Sequence, residues 1–286
     1  MIEVTTRKMV DEAMSGQYRT HFKGQGVQFS EHRQYVPGDD IRHIDWKVSA
    51  RAREPLIKKY EEERELVVLL VVDISASEGF GSQTKLKSEV LAEVAGMLSY
   101  AASHTGDKIG VILFGGQIEK VIPPKKGRSH VLRIVKELLT PRPVHPGTDL
   151  AGALLAAGRV MKHKGVVFVL SDFQAQGYDR EMKRLARKHD VVAVQVGDLR
   201  EKDVPAIGQL YVVDPETGEE GFIDTGSYAF KKWFKEALLE METDFKTMTK
   251  AGGIDVLKVD THLDYADAVV RFFRARARVK GTKPRG

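Results

Sequence analysis

Asp73-Ile74-Ser75-Ala76-Ser77 places one carboxylate and two hydroxyls at alternating positions, directly after the apolar run Leu66-Val67-Val68-Leu69-Leu70-Val71-Val72. A run of that length and β-branched content predicts a strand buried on both faces, so the three oxygens sit where the strand leaves its sheet. Hard oxygen donors gathered in one turn suit a hard divalent cation, Mg²⁺ first, with Mn²⁺ or Ca²⁺ as substitutes. An Asp-x-Ser-x-Ser string arises by chance in roughly one chain in twenty of this length at average composition. The chemistry therefore depends on partners supplied from elsewhere.

The elements that would bring those partners alternate along the chain. Apolar runs at 66–72, 109–114, 165–170 and 191–196 predict buried strands. Leu86, Val90, Val94, Met97, Leu98 and Ala101 recur near helical period, and further helices are expected over 131–139 and 150–161. Strands and helices in turn imply an α/β fold with a doubly wound, mainly parallel sheet and helices on both faces. Ligands of such sheets bind beyond the carboxyl ends of the strands. Val166-Val167-Phe168-Val169-Leu170 runs into Ser171-Asp172-Phe173. Asp172 is therefore expected at the same sheet edge as Asp73. Gly147-Thr148-Asp149 precedes the helix at 150, where Thr148 is either a ligand hydroxyl or a helix N-cap.

Past Gly197, two short alternating runs flank the turn Asp214-Pro215-Glu216-Thr217-Gly218 and predict a hairpin over 210–224 that extends the sheet or forms its edge. A helix is expected over about 226–250. Its residues Tyr228, Phe230, Trp233, Phe234, Leu238, Leu239, Met241 and Phe245 are read mostly as core, with Trp233 and Phe234 as possible interface residues. Gly252-Gly253 ends it, and a strand over Ile254 to Val259 and a final helix follow.

The N-terminal region differs. Residues 3–14 read as helical, while Gly24 to Glu65 is rich in turn formers and charge and reads as short extended pieces packed on the larger unit. Asp39, Asp40, His43 and Asp45 could ligate a second metal or do acid–base work. No nucleophile accompanies them, and His32, Arg33, Arg42 and Lys47 offer counter-charges, so an anchoring or partner-docking role is expected.

Two resemblances follow from these residues. Asp73, Ser75 and Ser77 at a strand end, a later loop threonine and a later strand-end aspartate resemble the metal-ion-dependent adhesion site of von Willebrand factor A domains. The stretch Phe29-Ser30-Glu31-His32-Arg33-Gln34-Tyr35-Val36-Pro37-Gly38-Asp39-Asp40-Ile41-Arg42-His43-Ile44-Asp45-Trp46-Lys47 resembles the signature of the domain-of-unknown-function fifty-eight family. That likeness continues through Val48 to Arg51, Tyr60 to Glu65 and Pro123 to Gly127, and covers about residues 20–200.

The resemblance implies a von Willebrand A, Rossmann-like fold over 66–270, including the 210–224 hairpin, preceded by a partly β-structured signature region over 1–65 and followed by a basic tail over 271–286. It assigns Asp73, Ser75 and Ser77 to the first metal loop, Thr148 to the second and Asp172 to the third. One coordination position stays open for an Asp or Glu of a protein partner, and Glu78, Asp149 and Phe173 are expected at the partner surface. It also implies association with MoxR-type AAA+ ATPases, in an adaptor or cofactor role. Glu78 departs from the small or apolar residue expected after the motif.

Composition bounds the remaining classes. The chain has 286 residues, 42% hydrophobic content and no cysteine, which removes disulfide and thiolate-metal frameworks. A polar start and the lack of a spanning apolar stretch lead us to expect a cytoplasmic protein. The formal charge of +5 is concentrated in the tail, where Arg271 to Gly286 holds seven bases and no acid, a run that reads as a solvated, frayed end. With no aromatic-interleaved basic groove, nucleic acid is not the expected partner, and membrane contact is expected through the tail only. An adhesin-like surface role is one alternative. A Mg²⁺-dependent phosphohydrolase is another, but that mechanism wants a second acid where Ser75 stands, so a non-enzymatic role is expected.

Overall fold

The computed structural model describes residues 28–61, 66–82, 85–140, 144–213 and 218–281. The helix expected over 3–14 lies outside them. The described chain divides into two units, one within residues 23–66 and one from Val67 onward.

In the first unit, β1 (Gln28–Gln34) pairs antiparallel with β2 (Leu56–Glu61), and a 3₁₀ turn (Ile41–His43) and α1 (Trp46–Ala52) fill the connection. The charged signature residues hold these turns. Asp39 is gripped by both guanidinium nitrogens of Arg33, at 2.7 and 2.6 Å, and accepts the Val36 N–H. Asp40 caps the 3₁₀ turn and pairs with Arg42. Asp45 caps α1 through the Lys47 and Val48 N–H groups, and His32 and Lys58 each lie 3.2 Å from its carboxylate. The counter-charge of Asp45 is thus Lys58, brought across by strand pairing, whereas Lys47 contributes its backbone.

The second unit is built on a six-stranded sheet in the order β10 (Asp255–Asp260), β7 (Asp190–Gly197), β6 (Val166–Ser171), β3 (Val67–Asp73), β4 (Lys108–Phe114), β5 (Ile118–Lys125). All pairings are parallel except β4 with β5. Val68 to Val72 are at most 2% exposed, which explains the unbroken apolar run: each side chain of β3 is covered from one side or the other. Leu69 and Val71 pack with Val167 and Val169 against α4 (Leu150–Val160), α5 (Asp179–Ala186) and the end of α7 (Tyr228–Gly252). The opposite face is covered by α2 (Lys87–His104) and α8 (Tyr265–Gly281), where Phe168 of β6 meets Phe273 edge-on at 6.4 Å. Helix α3 (Arg128–Leu139) packs beside α2. This mixed α/β arrangement, a mainly parallel sheet with helices on both faces, is the expected fold class.

Three expectations need correction. The hairpin β8 (Gln209–Val213) and β9 (Glu220–Asp224) forms a sheet of its own and does not extend the large one. Helix α7 is mostly outside the core: Tyr228, Trp233, Leu239 and Met241 are exposed, and burial is confined to Phe245, Met248 and Thr249 near its end. The basic tail is not simply a solvated end, because α8 runs to Gly281, Phe273 is fully buried, and Arg276 pairs with Asp190 and Asp255.

Candidate metal-binding site

The chain enters the sheet at β3, fills β4 and β5 on one side, and then crosses to β6, β7 and β10 on the other. The loops that follow β3, β4 and β6 therefore meet around the point where the winding reverses. Asp73, the last residue of β3, is 1% exposed and fully engaged. Its Oδ1 accepts the Ser75 N–H (3.0 Å) and its Oδ2 accepts the Ser171 hydroxyl (2.7 Å) from the neighbouring strand. The Ile74 N–H donates to the Phe114 carbonyl (2.8 Å) and fixes the exit from the strand. The next turn brings the Ser75 and Ser77 hydroxyl oxygens to 3.0 Å.

The 3₁₀ turn Ala76–Gly79 then folds Glu78 inward, where it is wholly buried. Its Oε1 accepts the Asp172 N–H (3.1 Å), while Oε2 has no hydrogen-bond partner among the described residues. One carboxylate oxygen from each of Asp73, Glu78 and Asp172 lies within 4.8 Å of the other two. Asp172 itself accepts the Gln174 N–H at Oδ1 (3.0 Å) and the Lys87 ammonium at Oδ2 (2.6 Å). The residue after it, Phe173, holds a left-handed φ of 61°. A non-glycine residue pays about 1–3 kcal/mol for such a conformation, and here the ring is held against Phe245 and Tyr178, with centroids 4.9 and 5.9 Å away.

The loop carrying Thr148 is hung from the end of β4. The Asp149 N–H donates to the Gly115 carbonyl (2.7 Å), and the Gly116 N–H donates to the His145 carbonyl (3.3 Å). A Cβ on Gly116 would lie 1.9 Å from the Pro146 carbonyl oxygen; one on Gly115 would lie 3.4 Å from the His145 oxygen and 3.8 Å from Ser75 Cα. Gly116 thus lets the Thr148 loop close on the end of β4, whereas a Cβ on Gly115 would meet only ordinary contacts. Asp149 caps α4 by accepting the Gly152 N–H (2.8 Å), so the cap is not Thr148. Of the residues expected at a partner surface, Asp149 is exposed, whereas Glu78 and Phe173 are buried.

Lys87 is the residue the sequence reading passed over. It sits in the first turn of α2, one position after Leu86, which was placed on the buried face and is 40% exposed. Lys87 is 1% exposed and bonds both Asp172 and Glu201 (2.7 Å). Glu201, in the short helix α6 (Leu199–Lys202), also accepts the Asp198 N–H at its other oxygen (3.0 Å), and buried Asp198 accepts from Ser82, Thr261 and the Arg200 N–H. The only sequence signal was a lysine next to an apolar helix face, which ordinarily means a solvated edge.

These charges determine the electrostatics. Burial foremost pushes the Asp73 carboxyl up to about 6, against hydrogen bonds from Ser75 and Ser171 that favour its ionised form. Burial, then the charges of Asp172 and Asp73, raise Glu78 well above the usual carboxylate range. Burial works against the Lys87 ammonium, but Glu78, Asp172 and Glu201 outweigh it and hold Lys87 charged. The pocket is thus short of positive charge, and its hard oxygen donors and orphaned Glu78 oxygen fit a divalent cation.

The chain belongs to the family described as "Protein of unknown function DUF58", whose model matches residues 31–244. It is 29% identical to the Mycobacterium tuberculosis protein called "Uncharacterized protein Rv1480", over 97% of this chain and 88% of the relative. It is 27% identical to "Uncharacterized protein YeaD" of Bacillus subtilis, over 45% of this chain and 30% of that one. Among solved structures it is similar to an aerotolerance-related membrane protein from Bacteroides fragilis, at a TM-score of 0.50 and 17% identity, covering 75% of this chain and 99% of that one. A likeness to the von Willebrand A domain of SpRpn10 has a TM-score of 0.41 and 10% identity, over 72% and 94% of the two chains. Among the described residues of this chain, no helix is long and apolar enough to cross a membrane.

Proposed function

We propose that this member of the DUF58 family is a non-enzymatic, metal-dependent protein-binding module that recognises an acidic side chain of its partner. The observation that carries the reading is the meeting of two strand-end loops in one buried acidic pocket, with Asp73, Glu78 and Asp172 clustered and the Ser75 and Ser77 hydroxyls in the first of those loops. Asp73, Ser75, Ser77, Thr148 and Asp172 would hold Mg²⁺, or Mn²⁺ or Ca²⁺ in its place. When bound, the ion supplies a Lewis-acidic position that an incoming carboxylate can complete. Ser75 supports binding over turnover, because a hydroxyl cannot protonate a leaving group as a carboxylic acid does. The resemblance of the signature region to MoxR-associated proteins supports an adaptor or cofactor role beside an AAA+ ATPase in the cytoplasm.

Mg²⁺ or Mn²⁺ should raise the melting temperature of the wild-type chain and leave Asp73→Ala unchanged, since a ligand that binds only the folded state stabilises it. Equal shifts in both proteins would remove Asp73 from the site. Affinity capture with and without chelator is the second arm, with recovery of a MoxR-type ATPase expected only when metal is present. Recovery that ignores the chelator would move binding to another surface.

A further inference from the structure

We propose that Glu78 is itself a ligand of the cation, a third carboxylate supplied by this chain at the position otherwise left to a partner. The proposal rests on the metal reading above and specifies how the coordination shell is completed. Glu78 is wholly buried, yet it lies among two other carboxylates and has an oxygen that no described group satisfies. An unsatisfied buried polar atom costs about 1–3 kcal/mol, and more when charged, so a fold that retains one is expected to meet it with a ligand.

The local geometry directs Glu78 to that task. The 3₁₀ turn that begins after Ser75 carries the side chain inward, and the Asp172 N–H on Oε1 orients the carboxylate while leaving Oε2 available. Lys87 does not meet the demand, because its ammonium is committed to Asp172 and Glu201. Three carboxylates around a divalent ion hold it without help from a second protein and reduce its pull on an external carboxylate. A partner's acidic side chain must then compete with Glu78, which makes this residue the gate of the site.

Titration of the full chain with Mn²⁺ alone, read by calorimetry and by electron paramagnetic resonance of the free ion, tests this. Wild type should bind one equivalent with no partner present. Glu78→Gln keeps the side-chain shape and the Oε1 acceptor, and should bind at least about tenfold more weakly, since even the outer-shell supports of a metal ligand are worth that much. Its metal-free melting temperature should stay within a few degrees of wild type, because Gln keeps the size of the side chain and the Oε1 acceptor for the Asp172 N–H, so weakened binding cannot be put down to lost folding. If wild type binds, Asp73→Ala does not, and Glu78→Gln matches wild type, Glu78 is no ligand and the metal reading survives. If wild type binds no Mn²⁺, both readings fall.

Discussion

His189 buries both ring nitrogens without a hydrogen-bond partner among the described residues, and at 5% exposure it sits between the end of α5 and the start of β7. Burial, and after it the charge of Lys188, holds the imidazole below its ordinary value. The unfolded chain therefore takes up a proton more readily than the folded one. Stability contributed by the neutral ring is present above about pH 6.5 and is lost as pH falls through that value. Asp73 and Glu78 titrate with the opposite sign in the acid range, so the informative quantity is a difference between two proteins. Thermal melts at pH 8 and pH 5.5 should show the advantage of His189→Leu over wild type growing by several degrees at the lower pH. A gap that stays constant between the two would mean the ring is protonated, or finds a partner, in the folded state. Lys87 is the contrasting case, a buried cation kept charged by the acids around it, where truncation would strand those acids rather than relieve them.

The helix α8 shows how an element escapes a reading by composition. From position 271 on it carries four arginines and a lysine, so the sequence suggested a frayed basic end, yet Ala266, Val269, Phe273 and Arg276 recur at helical spacing and are all buried. Phe273→Ala should cost about 3–5 kcal/mol as a large-to-small core change, lowering the melting temperature by on the order of 10 °C, and calorimetry of the two proteins measures it. A change below about 1 kcal/mol would return α8 to the status of a dispensable tail. Other elements were legible or hidden for equally physical reasons. Strands β3, β4, β6 and β7 announced themselves because burial on both faces leaves no room for polar alternation, and with them came the shared edge of Asp73 and Asp172. Strand β5 did not, since an antiparallel edge strand tolerates Pro123 and Pro124 and buries only Ile122. Helix α5 has eight residues and only Met182 and Leu185 inside, too short a stripe to stand out from its charges. The burial of Glu78 and Lys87 had no local signal at all, because it depends on a tight turn and on two helices that the sequence places far apart.

At the scale of the whole molecule, the two units rest on different physics. From Val67 onward the fold has a six-stranded sheet covered on both faces, with most of its strand residues out of contact with water. Within residues 28–66, Ile57 and Leu66 are the buried apolar side chains among the described residues, and order comes from one strand pair, short turns and the ion pairs of Asp39, Asp40 and Asp45. Exposed ion pairs are each worth about 0–1 kcal/mol, and a single two-stranded hairpin is marginal in water. The sheet unit therefore carries the stability, and the proposed metal ligands all belong to it. A chain of residues 67–281 should melt cooperatively by circular dichroism and keep its Mg²⁺-dependent rise in melting temperature, while a peptide of residues 28–66 alone should show no cooperative transition. The reverse pattern, with a sheet unit that is insoluble or non-cooperative without the first 66 residues, would make the signature region part of the core.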